Sequence, residues 1–146
     1  MSPQAIFAPV LAMMVLTFVV WAYMYIRRIP FIIRSRMSPE QLATPGHLAS
    51  VSPAQVSNPS DNFRNLFELP VLFYALTLWL AFANRVDATY LTAAWLFVAF
   101  RALHSTVHCS VNIVLLRFYL YLISSLALLF KLVRAALQFL SSAVIR

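Results

Sequence analysis

Long apolar runs separated by short polar stretches dominate the chain and predict membrane-spanning helices. No charged residue precedes Arg27, and the apolar run from Ala5 to Ile26 is 22 residues long. About 20 apolar residues, each rising about 1.5 Å, cross the roughly 30 Å hydrocarbon core of a bilayer, so this run is long enough to span it. The run ends in tyrosines followed by Arg27 and Arg28, which is typical of an interfacial anchor and not of a signal-peptide cleavage site.

The same pattern predicts three further helices after a proline-rich segment. Residues 35–58 contain several prolines, serines and the only glycine of the chain, and they predict a loop without a core of its own. Asn58 is a capping residue type and Pro59 suits the first helical position, so the second helix is expected to begin there. Asp87 is the predicted cap of the third helix. The predicted helices cover residues 5–34, 59–84, 87–109 and 111–140.

These helices predict an all-α fold. Short connections between the second, third and fourth helices indicate antiparallel neighbours, so we expect an integral membrane four-helix up-down bundle forming a single domain over residues 1–146. The composition agrees, since 62% of the residues are apolar and only 10% are charged. With a mean hydropathy of +0.82, the chain has too few charges for the surface of a soluble domain.

The excess of basic residues indicates membrane orientation and not nucleic-acid binding. The formal net charge is +7, but the arginines are scattered between apolar runs and form no stripe. Arginines at the end of the first helix make the 35–58 loop basic, which predicts a cytoplasmic loop, although Lys131 and Arg134 count against that orientation. The absence of eukaryotic retention signals fits a bacterial inner membrane. A single glycine, Gly46, excludes the glycine-rich phosphate loops of the usual nucleotide enzymes.

Most ionisable residues in or near the predicted spans fall in one layer. Following the chain across the membrane brings the ends of helices 1 and 3 and the starts of helices 2 and 4 to the same side. The residues of this layer are Arg28, Arg64, Asn65, Glu68, Arg101, His104, His108, Arg117 and Tyr121. An unpaired charge at such a depth costs about 1–3 kcal/mol, so pairing inside the bundle is expected. Arg85, Lys131 and Arg134 lie elsewhere and are predicted to be interfacial anchors.

On the second helix, the polar residues share one face. Asp61, Asn65 and Glu68 are spaced i, i+4, i+7, and Arg64 is placed to neutralise Glu68 four residues later. Pro70 cannot donate to the carbonyl four residues before it, which predicts a bend beside Glu68.

The third and fourth helices carry two further stripes. Arg101, His104 and His108 are spaced i, i+3, i+7, and Tyr121 follows Arg117 by four residues. Two histidines alone are a weak metal signal, and the neighbouring cysteine points about 100° away, so no metal site is predicted.

Each of these residues also has a structural interpretation. Glu68 and Arg64 suit an intramembrane ion pair, and Arg101 and Arg117 suit snorkelling side chains. Taken together, the cations, the carboxylate and the apolar surroundings favour a site where a small anionic or zwitterionic solute meets a lipophilic one. An arginine beside a thiol lowers the pKa of that thiol and stabilises the reactive thiolate.

The stretch "NFRNLFELPVLFYAL" at residues 62–76 resembles the second-helix signature of the MAPEG family, the membrane-associated proteins of eicosanoid and glutathione metabolism. Its core is Asn65-x-x-Glu68 followed by proline and an apolar run. The third and fourth helices resemble those of the prostaglandin E synthase branch at Arg101, His104, Arg117 and Tyr121. The resemblance covers all four predicted spans.

The resemblance implies a homotrimer of four-helix subunits that binds glutathione as co-substrate between neighbouring subunits on the cytoplasmic side. By matching position, Asn65 and Glu68 would hold the glutathione backbone, and Arg117 would be the catalytic residue that stabilises the thiolate. The other implied glutathione contacts are Arg64, Arg101, His104, His108, Tyr121 and, of the arginines at the end of helix 1, Arg28, with Arg27 and Arg34 as alternatives.

Three departures from the family pattern leave the substrate open. His108 stands where the synthase branch has tyrosine, Phe118 follows Arg117 where that branch has serine, and Asp61 stands where several relatives have arginine. The first functional hypothesis is a glutathione-dependent membrane transferase or peroxidase that acts on a lipophilic electrophile. The alternative is a non-enzymatic membrane protein that binds lipid or a protein partner, since the family includes a non-catalytic lipoxygenase-activating protein.

Overall fold

Every regular element that the computed structural model describes, over residues 3–43 and 45–144, is helical. A 3₁₀ turn at Pro3–Ile6 leads into α1 (Phe7–Arg34). The short helices α2 (Pro39–Leu42), α3 (Pro45–Val51) and α4 (Ala54–Asn65) follow. The chain continues with α5 (Leu69–Phe82), α6 (Ala88–Cys109) and α7 (Val114–Val144). The protein is therefore an all-helical bundle, in which α4 and α5 together form one interrupted stretch.

Three helical stretches are long and apolar enough to cross a membrane, namely Gln4–Arg34, Ala54–Phe82 and Val114–Ser142. The remaining predicted span, α6, is not among them, and its C-terminal half carries Arg101 and two histidines. Large apolar side chains on the outside of the bundle are widely exposed, as lipid contact requires. These features identify an integral membrane protein.

The loop predicted over residues 35–58 is largely helical, so that prediction is wrong for α2, α3 and the start of α4. The prolines that suggested a loop stand at helix starts, where a missing N–H is no loss. Pro39 is the first residue of α2, and Pro53 is the N-cap of α4. Before α2, the Ser38 hydroxyl accepts a hydrogen bond from the Gln41 N–H at 3.4 Å, and the Gln41 side chain accepts one from the Ser38 N–H at 3.0 Å.

The second long stretch therefore begins at Ala54 instead of residue 59, and Asn58 does not cap it. Pro59 lies inside α4, where it cannot donate to the carbonyl of Gln55. That carbonyl accepts instead from Nε of Arg27 at 3.4 Å, and a second Arg27 nitrogen donates to the Gln55 side chain at 2.8 Å. The arginine at the end of α1 thus satisfies the backbone group that the proline leaves unpaired.

A full break separates α4 from α5, where the sequence predicts only a bend. Pro70 is the second residue of α5, and Glu68 is its N-cap with φ −92° and ψ −107°. The three residues predicted to share a face are therefore divided, since Asp61 and Asn65 belong to α4 and Glu68 lies beyond its end. The break sets the direction of the Glu68 side chain independently of α4.

The core lies where α1, α5, α6 and α7 meet. The rings of Phe73 and Phe97 stack with centroids 4.6 Å apart and planes 10° apart, which joins α5 to α6. Leu80 extends this contact along α5, and Met13 from α1 and Ala135 from α7 complete the buried cluster. Since lipid supplies little hydrophobic drive between helices, close packing of this kind holds a membrane bundle together.

Lys131 is fully buried in this core and is not the interfacial anchor that the sequence predicts. Its ammonium donates to the Thr77 hydroxyl at 2.9 Å and lies 4.5 Å from the centre of the Phe73 ring. No carboxylate pairs with it among the described residues. The side chain turns inward because Lys131 lies on the buried face of α7, three residues after Leu128 and four before Ala135.

At the opposite end of the bundle from the α6–α7 turn, an ion pair clamps the start of α6 to α7. Asp87 caps α6 by accepting from the Tyr90 N–H at 2.9 Å, so the predicted cap is confirmed. Two nitrogens of Arg134 donate to the two Asp87 oxygens at 2.8 and 2.6 Å, and the guanidinium stacks on Tyr90. This clamp fixes the register of the two helices that carry most of the polar residues.

Thermal stability is expected to fall at acid pH through this clamp. The hydrogen bonds from Arg134 hold the pKa of Asp87 below its usual value near 4. A group whose folded pKa is depressed stabilises the fold above its unfolded pKa and loses that contribution as the pH falls through the folded value. Asp87→Asn keeps a capping residue and should cost only about 0–1 kcal/mol at neutral pH.

Melting curves of the detergent-solubilised protein between pH 2 and 7 measure this effect. The melting temperature of the parent protein should drop below about pH 4 by more than that of Asp87→Asn. Equal drops in the two proteins would show that Asp87 does not carry the acid sensitivity.

Candidate functional site

Polar groups from three parts of the chain gather where α6 ends and α7 begins. Arg101, His104 and His108 are buried on one stripe of α6. The ring of His104 lies edge-on to that of Tyr121 from α7, with centroids 5.8 Å apart. The Tyr121 hydroxyl donates to Oε2 of Glu68, at the α4–α5 break, at 3.4 Å. These five residues are called the polar cluster.

Arg101 is the most unusual member of the polar cluster, because it is completely buried and unpaired. Its guanidinium carbon lies 4.4 Å from the centre of the Tyr121 ring and 5.5 Å from that of Phe97. None of its three nitrogens has a hydrogen-bond partner among the described residues. The Tyr121 side chain and, more weakly, the Glu68 carboxylate are close enough to act on its charge. Since buried polar groups are nearly always satisfied, these free donors are available to a ligand, an ion or a water molecule.

The two histidines add further unpaired atoms to the polar cluster. Their rings meet edge to face with centroids 5.5 Å apart, and both side chains are almost fully buried. Nδ1 of His104 and Nδ1 of His108 have no hydrogen-bond partner within the part of the chain that the structure describes. A neutral imidazole can donate through one nitrogen and accept through the other. The pair can therefore contact a polar ligand of either type.

Arg117 lies beside the polar cluster and is held by a neutral amide. One of its terminal nitrogens donates to Oδ1 of Asn112 at 2.7 Å. The Asn112 amide in turn donates to Oδ1 of Asn58 at 3.1 Å. The positive charge of Arg117 acts on both His104 and His108. The arginine predicted to stabilise a thiolate is thus within electrostatic range of the unpaired groups of α6.

Arg64 does not contact Glu68, contrary to the prediction. It pairs instead with Asp61 at 3.7 Å, and the side chains of the two residues are 69% and 55% exposed. The helix break removes Glu68 from the position four residues along the same face, while Asp61 remains one turn away on α4. Arg64 therefore faces outward from the single subunit.

Arg28 and Asn65 lie outside the polar cluster as well. Arg28 donates to the Ser60 hydroxyl at 2.8 Å and so joins the end of α1 to α4. Asn65 is half-buried at the last turn of α4. Within one subunit, therefore, Glu68 lies beside the polar residues of α6 and α7, whereas Arg28 and Asn65 do not.

Sequence reasoning missed Asn62, which is completely buried in the bundle. Its amide nitrogen donates to Sγ of Cys109 at 3.4 Å, and its oxygen accepts from the Ser105 hydroxyl at 3.3 Å. Asn58 is one helical turn before it on α4 and also faces the α6–α7 turn through Asn112. The four-residue spacing of Asn58 and Asn62 was the available sequence signal. It indicates a shared helical face only if both residues belong to one helix, as they do because α4 begins at Ala54.

Two open spaces flank these groups. A cavity of about 530 Å³ is lined by polar residues that include Arg27, Asn58, Cys109 and Asn112. A groove of about 680 Å³ between α1 and α5 is almost entirely apolar, and Phe67, the neighbour of Glu68, is one of its walls. The polar cavity lies between the start of α4 and the α6–α7 turn, whereas the apolar groove reaches the α4–α5 break through Phe67.

The structure describes no group of three or more histidine, cysteine or acidic side chains placed to hold a metal ion. The site contains instead cations, imidazoles, a carboxylate and a phenol, and the hydrogen-bond donors of Arg101 have no partner among the described residues. Such a set binds carboxylates and stabilises a developing anion.

Comparison with known proteins agrees with the sequence resemblance. The model of the MAPEG family matches residues 6–137, a range that contains the polar cluster, Arg117 and its two supporting asparagines. No curated protein and no solved structure matches the chain significantly. The family match covers far more than half of the chain, which confirms the resemblance seen at residues 62–76. This protein therefore belongs to the MAPEG family.

Proposed function

We propose that this protein is a glutathione-dependent membrane transferase or peroxidase that acts on a lipophilic electrophile. The observation that carries the proposal is the buried guanidinium of Arg101, whose donors are all free among the described residues. Glutathione offers two carboxylates, an ammonium group and a thiol. An arginine suits a carboxylate, a carboxylate side chain suits the ammonium, and a second arginine suits the thiolate. Members of this family generally use glutathione, which supports the assignment.

One carboxylate, the ammonium and the sulfur of glutathione each have a proposed partner. Arg101 receives a carboxylate, and Glu68 receives the ammonium, since the weak bond from Tyr121 at 3.4 Å leaves most of its acceptor capacity free. Arg117 is the catalytic residue and lies against the sulfur. The remaining residues proposed to contact glutathione are Arg28, Arg64, Asn65, His104, His108 and Tyr121.

The proposed chemistry begins with loss of the thiol proton to solvent. In the transferase reaction the thiolate attacks an electrophilic carbon, a carbon–sulfur bond forms, and the displaced anion leaves or an added proton completes the product. In the peroxidase reaction two glutathiones reduce one hydroperoxide to an alcohol and water and become a disulfide. Arg117 stabilises the thiolate in both, and the apolar groove beside Phe67 holds the lipophilic substrate.

The site is proposed to be completed by a neighbouring subunit of a homotrimer, as the family resemblance implies. Arg64 and Asp61 face outward from the single subunit, and Phe67 is 59% exposed beside them. An ion pair left in contact with lipid at this depth is unfavourable, and a second copy of the chain would cover it. We further propose that α6 is the fourth span and that residues 35–58 face the cytoplasm of a bacterial inner membrane.

Binding of glutathione to the purified protein tests the proposal. Calorimetry in detergent should detect glutathione and its S-methyl derivative at millimolar concentration or below, because recognition uses the charged ends of the peptide. Glu68→Gln should weaken binding about 10- to 100-fold, since it removes a charge-assisted contact. Glu40→Gln, which changes an exposed carboxylate on α2, should leave binding unchanged.

The alternative function is binding of lipid or a protein partner without catalysis, and the apolar groove favours a lipid. No glutathione binding at millimolar concentration would exclude the enzyme and leave this alternative. Glutathione binding followed by no product with any lipophilic electrophile or hydroperoxide would also favour it.

A further inference from the structure

Asn112 has a backbone conformation and a set of contacts that distinguish it from an ordinary turn residue. Its φ is 48°, in the left-handed region that asparagine tolerates better than most residues. Its backbone N–H donates to the carbonyl of Val107 at 2.8 Å and thereby closes the end of α6. The side chain is left free to act on other groups.

Both ends of the Asn112 amide are used. Arginine only donates, so the atom that faces Arg117 at 2.7 Å is the Asn112 oxygen. The amide nitrogen then points to the oxygen of Asn58 at 3.1 Å, on a different helix. The two bonds require opposite ends of the amide, so both are made only when the oxygen faces Arg117 and the nitrogen faces the Asn58 oxygen.

We propose that Asn112 is a positioning residue. Its amide, held by the hydrogen bond to Asn58, keeps the guanidinium of Arg117 against the sulfur of bound glutathione. The inference rests on the proposed role of Arg117 and extends it to two residues outside the predicted site. Fixing a long arginine side chain costs about 2 kcal/mol of conformational entropy, and a preformed contact removes much of that cost from the reaction.

A neutral partner is the important feature of this arrangement. Arg134, at the other end of the bundle, is held by the two oxygens of Asp87, and its charge is neutralised there. The guanidinium of Arg117 has Asn112 as its only hydrogen-bond partner among the described residues, so its full positive charge remains available. An amide orients the guanidinium without competing with a thiolate for its charge.

Asn112→Gly tests the proposal because glycine accepts the same positive φ and removes only the amide. The ultraviolet absorbance of the bound thiolate is recorded against pH, and the affinity for S-methylglutathione is measured separately. We expect the thiolate fraction at fixed pH, and turnover with it, to fall about three- to ten-fold. Affinity for S-methylglutathione should stay within about two-fold, because the backbone and the contacts to the charged ends remain.

Two further variants separate positioning from folding. Asn112→Asp keeps the acceptor but places a negative charge beside Arg117, so the thiolate fraction should fall further than in Asn112→Gly. Asn58→Ala removes the hydrogen-bond partner of the Asn112 amide on α4 without altering the α6–α7 turn. It should lower the thiolate fraction by less than Asn112→Gly does. Asn84→Gly is the matched control, since Asn84 also has a left-handed φ, of 52°, at the end of α5, and should change nothing.

Unchanged thiolate titrations in both Asn112→Gly and Asn58→Ala would overturn the positioning role. If Asn112→Gly does not fold, Asn58→Ala decides alone, and a parent-like titration in that variant has the same meaning. A parent protein that binds no glutathione would instead overturn the proposed function, so the two failures are distinguishable.

Discussion

Replacing Arg117 with alanine is expected to lower turnover about 100- to 1000-fold while changing the affinity for S-methylglutathione by less than about three-fold. Arg117 contacts a neutral amide and lies beside the buried histidines, so its charge is available to a thiolate. Loss of that charge raises the pKa of the glutathione thiol and leaves less of the nucleophile at neutral pH. Initial rates with a nitro-activated aryl chloride and with a lipid hydroperoxide measure the effect.

Two variants control for the loss of a positive charge. Arg117→Lys keeps the charge but not the planar fork, so it should recover part of the activity. Arg36→Asn removes an exposed arginine in a left-handed turn that asparagine tolerates and should be as active as the parent. An Arg117→Ala protein with parent-like turnover would remove Arg117 from the mechanism.

Replacing Arg101 with methionine is expected to make the ligand-free protein more stable and to abolish its stabilisation by glutathione. An unpaired buried charge costs several kcal/mol, and the stacking of Arg101 on Tyr121 and Phe97 returns about 2 kcal/mol or less. The ligand-free protein should therefore gain about 1–4 kcal/mol. In the parent, glutathione at 100 times its dissociation constant should add about 2.7 kcal/mol of stability, and this gain should vanish in Arg101→Met.

Lys131→Met is the matched control for Arg101→Met. Both residues are completely buried cations without a carboxylate partner among the described residues, but Lys131 contacts Thr77 in the core instead of the polar cluster. Its replacement should also stabilise the ligand-free protein, yet the shift in melting temperature with glutathione should remain. Melting curves with and without glutathione measure both quantities. A glutathione shift that persists in Arg101→Met would show that the guanidinium does not bind the ligand.

The long helices were predictable because apolar runs of more than 20 residues leave few alternatives in a membrane protein. Periodicity also placed Arg101, His104 and His108 on one stripe, and the structure buries all three together. The 35–58 segment was not predictable in the same way, since proline is compatible both with a loop and with the first turn of a helix. Short helices such as α2 have no apolar stripe to separate the two possibilities.

The contacts of the candidate site depended on details that spacing does not contain. Arg64 pairs with Asp61 and not with Glu68 as predicted, because the helix is completely broken before Pro70 and not gently bent. Lys131 was expected at the membrane interface, but it shares a face of α7 with the buried Leu128 and Ala135, and packing of that face places it in the core. The Asn58–Asn112 contact joins residues 54 positions apart, and only the packing of α4 on the α6–α7 turn brings them together.

A difference ultraviolet spectrum of glutathione added to the purified protein shows whether Arg117 stabilises a bound thiolate. We expect a thiolate band at neutral pH that saturates with glutathione, persists at pH values below the ordinary pKa of the thiol, and is absent in Arg117→Ala. No thiolate band at millimolar glutathione, or an equal band in the parent and Arg117→Ala, would contradict this role of Arg117.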